Sequence, residues 1–383
     1  MTAVPLPTRS GAIDRYQLGR YPRLEIEAGR PRTRRAYAAA HVVADPLGDP
    51  VGTSAIDWES TLGFRRHLWS LGFGVAEAMD TAQRGMGLDL EAVRTLIDRS
   101  IAEAAAENGE VVCGINTDEL SGPDHTLDTI GTSYLDQLDF VESRGGSAVM
   151  MASRALAAAA RGPEDYAAVY SRVLGQAGHP VILHWLGPMF DPALEGYWGS
   201  TDPTAAMESL MSIVADNPER VDGVKISMLD ADLEVEFRRR LPEGVRCYTG
   251  DDFNFPDLIA GDAAGHSDAL LGIFDGIAPV AATAFHALDR GDTDEFRRIL
   301  APTVPLSRHI FEAPTFHYKT GLVFLAYLNG HQDHFRMVGG QEGARSIVHL
   351  AELVRLADAA GLLPDPSEVA RRLQPVLAAA GIH

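Results

Sequence analysis

The sequence predicts an α/β protein, a (β/α)8 TIM barrel with a C-terminal helical extension, and two observations carry that expectation. From about residue 36 short β-like runs alternate with longer helix-patterned ones, the mark of βαβ units around a parallel sheet. Eight such runs fall within about 240 residues, the scale of one barrel, and beyond residue 274 only helical patterning follows.

AYAAAHVVA ends at Ala44 and opens the series. FGVAEAM (73–79) follows the helical segment WESTLGFRRHLWSL, GEVVCGI (109–115) follows LEAVRTLIDRSIAEAAAE, and GSAVMMA (146–152) follows YLDQLDFVESR. HPVILHWL (179–186) comes after DYAAVYSRVLGQA, and VDGVKISML (221–229) after PTAAMESLMSIVADN. VRCYTG (245–250) and SDALLGIF (267–274) complete the eight. APVAATAFHALDRG then reads as the last barrel helix, and later segments such as YKTGLVFLAYLNG and ARSIVHLAELVRLADAAG form the helical extension. The expected division is an Arg-rich N-terminal arm (1–35), the barrel (36–300) and a C-terminal helical subdomain (301–383). A doubly wound open sheet is the competing architecture, but no GxGxxG follows the first strand and no P-loop occurs.

Of 383 residues, 46% are apolar and 22% charged, the composition of a soluble globular protein. The apolar runs are too short to span a bilayer, and the N-terminus lacks the order of a secretory signal, so a cytoplasmic location is expected. A net charge of −20 excludes generic binding to nucleic acid or to an anionic membrane. Residues 1–35 run against this balance, with eight arginines and three acids, and are expected either to lie across the acidic body or a neighbouring subunit or to form a solvated tail. Cys113 and Cys247, in strand-like runs, form no disulfide framework or CxxC pattern and read as buried small hydrophobes.

In a barrel, chemistry sits at the C-terminal ends of the strands. That rule selects Asp45, Asp80 with Thr81, Asn116 with Asp118 and Glu119, Ser153, His184, Lys225, and Asp251 with Asp252. Lys225 stands out because the chain has only two lysines, Lys225 and Lys319, among 33 basic residues. Alternation in VKISML sends Lys225, Ser227 and Leu229 to one face, which in a barrel is the interior. There the charged form is disfavoured, and a free amine can attack a carbonyl; the competing reading is an internal ion pair. His184 closes PVILHW, where an imidazole either shuttles protons or packs as a hydrogen-bonded residue beside Trp185. Asp251 and Asp252 in GDDFNF either orient substrate hydroxyls, ligate a divalent metal, or cap the next helix. Asp80, with Thr81 and Gln83 nearby as donors, has the same choices. Lys319 is explained by helix capping or a salt bridge. Tyr197 and Trp198 either close over a ligand or pack their own loop.

Several of these stretches resemble the dihydrodipicolinate synthase and N-acetylneuraminate lyase superfamily of class I aldolases and lyases, as a divergent branch of it. PVILHWLGP is similar to the family's fifth-strand PviLYNvP, VDGVKIS to its sixth-strand vGIKes, YTGDDF to its seventh-strand G-D element, and SDALLGIFDGIAP to its eighth strand. RGDTDEFRRIL and YKTGLVFLAYLNG match its C-terminal helices in order. The resemblance implies a (β/α)8 barrel with a helical extension, commonly tetrameric, that needs no cofactor, with Lys225 forming an imine with a 2-oxo acid. Where the family has its catalytic tyrosine this chain has His184, so imidazole would take the phenol's place. AMDTAQRG replaces the carboxylate-binding GTTGE, leaving Thr81 as the counterpart, and GPMFD lacks the arginine that often follows YNvP. A larger hydroxylated carbonyl compound, held by Asp80, Thr81, Asn116, Asp251 and Asp252, fits these departures at least as well as a free 2-oxo acid.

The expected function is therefore a Schiff-base-forming carbon–carbon lyase, aldolase or dehydratase acting on a small-molecule carbonyl substrate, sugar-derived or a 2-oxo acid, in a homo-oligomer (dimer or tetramer). A metal-dependent barrel hydrolase or isomerase, with ligands from His41, Asp45, Asp80, His184 and Asp252, is one alternative. A ligand-binding barrel without turnover is the other.

Overall fold

A computed structural model describes residues 2–21, 24–49, 52, 55–122 and 124–383. Eight parallel strands close into a barrel: β3 (Ala36–Ala39), β4 (Gly74–Glu77), β5 (Val111–Ile115), β6 (Ser147–Met150), β7 (Val181–Leu186), β8 (Val221–Ser227), β9 (Arg246–Thr249) and β10 (Asp268–Leu271). They run in chain order around the barrel, with β10 paired to β3. All eight expected strands are present, each shorter than its apolar run, because backbone pairing stops where the chain turns to enter the next loop.

The outer layer comprises α1 (Trp58–Ser70), α2 (Leu90–Glu107), α3 (Leu127–Glu142), α4 (Arg154–Ala159), α5 (Pro163–Gln176), α6 (Pro203–Asp216), α7 (Ala231–Arg240), α8 (Phe255–Ala260) and α9 (Phe274–Asp289). Side-chain oxygens start many of these helices: Asp57, Asp89, Thr126, Ser153, Asp202 and Asp230 each accept a hydrogen bond from a backbone N–H of the first turn. Helices α10 (Thr293–Leu300), α11 (Thr303–Ile310), α12 (Tyr318–Leu328), α13 (Ile347–Ala359) and α14 (Pro366–Ala379) form the extension.

The two strand faces bury different neighbours. Inward-facing Tyr37, Ala39, Ala76, Val112, Val149, Ile182, Tyr248 and Leu270, with Met79 and Met151, fill the barrel. Outward-facing Val224, Ile226 and Trp185 pack under the helices. Cys113 and Cys247 are buried, and burial pushes both thiols up, as suits small core residues rather than nucleophiles.

One element was not legible in the sequence. Within the Arg-rich stretch, β1 (Thr2–Pro7) and β2 (Ile13–Leu18) form an antiparallel hairpin that packs on α13 and α14. Asp358 of α13 accepts hydrogen bonds from the Tyr16 hydroxyl (2.9 Å) and the Gly19 N–H (3.0 Å). Farther along, the backbone N–H groups of Arg32 and Thr33 donate to Asp289, and Arg30 pairs with Glu110. The basic stretch thus lies on acidic groups of the body; Met1, Pro22 and Arg23 fall outside the described residues.

Candidate active site

Lys225 lies on β8 directly opposite His184 of β7 in the strand register, and opposite Tyr248 of β9. Because in-register neighbours of a parallel sheet share a face, His184, Lys225 and the inward-facing Tyr248 all point into the barrel. The close fit is visible at Gly250: a Cβ there would stand 2.2 Å from Ser227 Oγ and 2.8 Å from Lys225 Cε. The alternation read from VKISML holds through Ser227 and breaks at Leu229, whose φ of 55° starts the turn into α7.

Lys225 is 8% exposed, and among the described residues it forms neither an ion pair nor a hydrogen bond. The internal ion pair offered as its competing reading is therefore not formed. Burial lowers the pKa of the ammonium, while the neighbouring Asp252 and Asp80 carboxylates partly restore it. Asp252, 3% exposed, accepts the Ile273 N–H at 2.8 Å. Burial pushes its carboxyl up to about 7, against the lowering effect of the Ile273 N–H and Lys225. The Asp252 carboxyl lies within electrostatic reach of the Lys225 amine, and burial, by lowering the one and raising the other, draws their proton affinities together.

His184 is fully buried, with Nε2 3.1 Å from Ser227 Oγ and Nδ1 unpartnered among the described residues. Burial, then the charge of Lys225, holds its pKa well below the usual imidazole range. A ring kept neutral in this way suits a fixed hydrogen-bonding group better than a proton shuttle.

Asp80 and Thr81 open a 3-10 turn beyond β4. Burial raises the Asp80 carboxyl, opposed by Lys319 and then Lys225, so this partly buried group faces both lysines of the chain. Thr81 Oγ1 lies 2.9 Å from the Tyr318 hydroxyl. Tyr318 and Lys319, at the start of α12, bring the extension over the C-terminal end of the barrel. A phenyl edge of Tyr318 lies over Gly272, beyond β10. Burial, then Asp80, raises the Tyr318 pKa well above its ordinary value, so the phenol is a hydrogen-bonding group rather than an acid.

The remaining candidates make hydrogen bonds or ion pairs to their surroundings. Both carboxylate oxygens of Asp251 are engaged within its own loop, by the N–H groups of Phe253 (2.8 Å) and Asn254 (3.0 Å) and by Asn254 Nδ2 (2.8 Å). Asn116 Oδ1 accepts the N–H of Thr117 at 2.7 Å. Asp118 pairs with Arg84, and Glu119 accepts from Ser133 and Gln137. Ser153 caps α4 and lies 2.6 Å from Thr117 Oγ1. Tyr197 and Trp198 are buried against Tyr166 and Tyr170, so of their two readings the packing one holds.

The five residues suggested as metal ligands do not converge. His41 is engaged by Asp275 and Gln332, and Asp45 accepts the Leu47 N–H in its own loop. Among the described residues, the His, Cys, Asp and Glu groups close enough to share an ion are His309, Glu312 and His349, none of which belongs to that set.

Sequence reasoning missed Lys319 and Tyr318 as site residues. The signal for Lys319 was the one that selected Lys225, the scarcity of lysine, but its place far beyond the eighth strand argued against it.

Among solved structures, the fold is similar to that of a putative dihydrodipicolinate synthetase from Pseudomonas aeruginosa, 17% identical, covering 84% of this chain and 99% of that chain at a TM-score of 0.63. It is also similar to YagE from E. coli K12, a prophage protein belonging to the dihydrodipicolinic acid synthase family and solved in complex with pyruvate (12%, 86% and 99%, TM-score 0.67). Dihydrodipicolinate synthase from Bacteroides thetaiotaomicron gives 14%, 87% and 99%, with a TM-score of 0.64. At these identities the likeness is one of fold. The profile of a family described as "Protein of unknown function (DUF993)" matches residues 4–382. No curated protein matches the sequence. No helix among the described residues is long and apolar enough to cross a membrane.

Proposed function

The chain belongs to the DUF993 family of proteins of unknown function, and on that premise we propose that it is an imine-forming lyase or aldolase acting on a small 2-oxo-acid or sugar-derived carbonyl compound. The observation that carries this reading is Lys225, a buried amine that is unpaired among the described residues, on an inward-facing strand position within electrostatic reach of Asp252.

In the proposed reaction, neutral Lys225 Nζ adds to the substrate carbonyl carbon. The carbonyl oxygen takes up protons and leaves as water, giving a protonated imine. That cation draws electrons from the adjoining bond. In aldol cleavage the carbon–carbon bond one carbon away breaks, its electron pair enters the enamine, and the proton of the departing hydroxyl passes to a base. In dehydration a proton is lost from the carbon beside the imine, and hydroxide leaves with a proton.

Asp252, poised near neutrality, is the proton carrier in this scheme. The charge of Lys225 helps keep His184 neutral, and His184 anchors Ser227 beside the amine. In this reading Asp80 and the hydrogen-bonded Thr81–Tyr318 pair hold substrate hydroxyl or carbonyl groups. The homo-oligomer implied by the resemblance is part of the proposal and is read by light scattering.

The test is inactivation by sodium borohydride in the presence of a carbonyl compound, followed by intact mass. A covalent gain that disappears in Lys225→Ala is expected. No gain with any 2-oxo acid or sugar-derived oxo acid that raises the melting temperature would refute the imine mechanism.

A further inference from the structure

Among the described residues the buried arginines are paired. Arg65 bonds Glu77, Arg84 bonds Asp118, and Arg372 bonds Glu368. Lys319 departs from this pattern. It is 3% exposed, and among the described residues it forms no ion pair, so the salt bridge read from the sequence is not formed. Its Nζ reaches the carbonyl oxygen of Phe316 at 3.3 Å and the Met86 sulfur at 3.2 Å. Nζ also lies 4.7 Å from the Tyr318 ring centre, but a neutral carbonyl, a thioether and a ring face bring no negative charge to balance a buried ammonium.

A second cation, Arg154, lies within electrostatic reach of Lys319. Arg154, at the start of α4, brings Nη1 within 4.0 Å of where a Cβ on Gly85 would lie, and Gly85 adjoins Met86. Arg154 Nε pairs with Asp191 Oδ2 at 2.5 Å, while its side chain remains 61% exposed and keeps donors free. The charges facing Lys319 are Asp80, Arg154 and Asp191. Burial raises Asp80, and Lys225 shares it, so neither acid is available to Lys319 alone.

We propose that Lys319 and Arg154 form an anion subsite at the barrel mouth, so that the substrate carries a carboxylate or phosphate group remote from its reacting carbonyl. This rests on Lys225 being the amine that receives the carbonyl. Asp80 is within electrostatic reach of both lysines. Burial lowers the Lys319 pKa to about 8, and an arriving anion would restore it, so binding is coupled to retention of the proton.

Two readouts test the subsite on the full chain. The first is the melting temperature with inorganic phosphate and with 2-oxoglutarate at constant ionic strength. Both anions are expected to raise it in the unaltered protein, with sodium chloride as the control, and Lys319→Gln to lose the rise. The second compares pyruvate with 2-oxoglutarate, which adds a distal carboxylate, in borohydride trapping. The ratio of their half-saturating concentrations is expected to favour 2-oxoglutarate and to move at least tenfold toward pyruvate in Lys319→Gln. Arg154→Gln, at an exposed position, gives the same direction if Lys319→Gln fails to fold.

A protein that neither anion stabilises, or a Lys319→Gln protein stabilised as before, would overturn the subsite. Trapping that maps to Lys319 would also overturn it, by making this lysine the nucleophile. Absence of trapping with both acids, alongside an anion-dependent rise lost in Lys319→Gln, would refute the imine reading and leave the subsite standing.

Discussion

Replacing Gly250 by alanine probes the packing that holds Lys225. The added methyl would stand 2.2 Å from Ser227 Oγ, 2.8 Å from Lys225 Cε and 2.9 Å from the carbonyl oxygen of Ile226. The last of these cannot retreat, because it accepts the Gly250 N–H at 2.8 Å within the barrel wall. Ser227 is tethered to His184. The lysine stem is the flexible partner, and it must give way together with Ser227. Overpacking of this kind costs about 1–3 kcal/mol. A reacting amine misplaced by about 1 Å costs roughly 100-fold in rate.

Thermal unfolding should therefore show a fall of a few degrees, and borohydride trapping should slow by about two orders of magnitude. Gly175, within α5 with nothing near its Cβ position, is the matched control; alanine there should stabilise by about 0.5–1 kcal/mol. A Gly250→Ala protein with unchanged melting temperature and unchanged trapping would refute the placement of Lys225 against the β9 turn.

Three further outcomes follow from the same geometry. Glu77 is fully buried, bonded twice to Arg65 (2.8 and 2.9 Å) and once to Ser100 (2.6 Å), so Glu77→Ala strands the Arg65 charge and should cost about 3–5 kcal/mol in denaturant unfolding. Glu234, also fully buried, accepts from Ser267 (2.7 Å) and Thr249 (3.0 Å), and burial pushes its carboxyl up to about 8. The folded state then holds a proton that the unfolded state releases, so stability falls as pH rises from about 4.5 to 8. Glu234→Gln should remove up to about 5 kcal/mol of that fall, read by urea unfolding across the range. Lys319 gives the opposite slope: its folded pKa of about 8 lies below the ordinary 10.5, so its burial penalty is complete below pH 8 and relieved as pH rises toward 10.5. Lys319→Met should flatten stability between pH 8 and 10, whereas an unchanged slope would contradict the burial of a lone ammonium.

The barrel was legible because its eight apolar runs and the helical stretches between them repeat one physical unit, and the inward face of VKIS followed from strand alternation alone. Lys225 was legible because lysine is rare in this chain. The N-terminal hairpin was not: TAVPLP holds two prolines and IDRYQL lies exposed over much of its length, so neither reads as a strand until α13 and α14 cover one side. Asp251 and Asp252 are neighbours of one type, and only the backbone path decides that the first closes a loop while the second accepts the Ile273 N–H within electrostatic reach of the amine. Tyr318 and Lys319 reach the site by tertiary packing, across more than ninety residues from Lys225, which no local pattern records.

The central claim is that Lys225 is the reacting amine. Peptide mapping of protein reduced with borohydride in the presence of pyruvate, 2-oxoglutarate and sugar-derived oxo acids tests it most directly. One reduced ligand on the peptide holding Lys225, and none on that peptide in Lys225→Ala, is the expected result. A ligand found on another residue, or a Lys225→Ala protein that turns over the same substrate at the same rate, would contradict it.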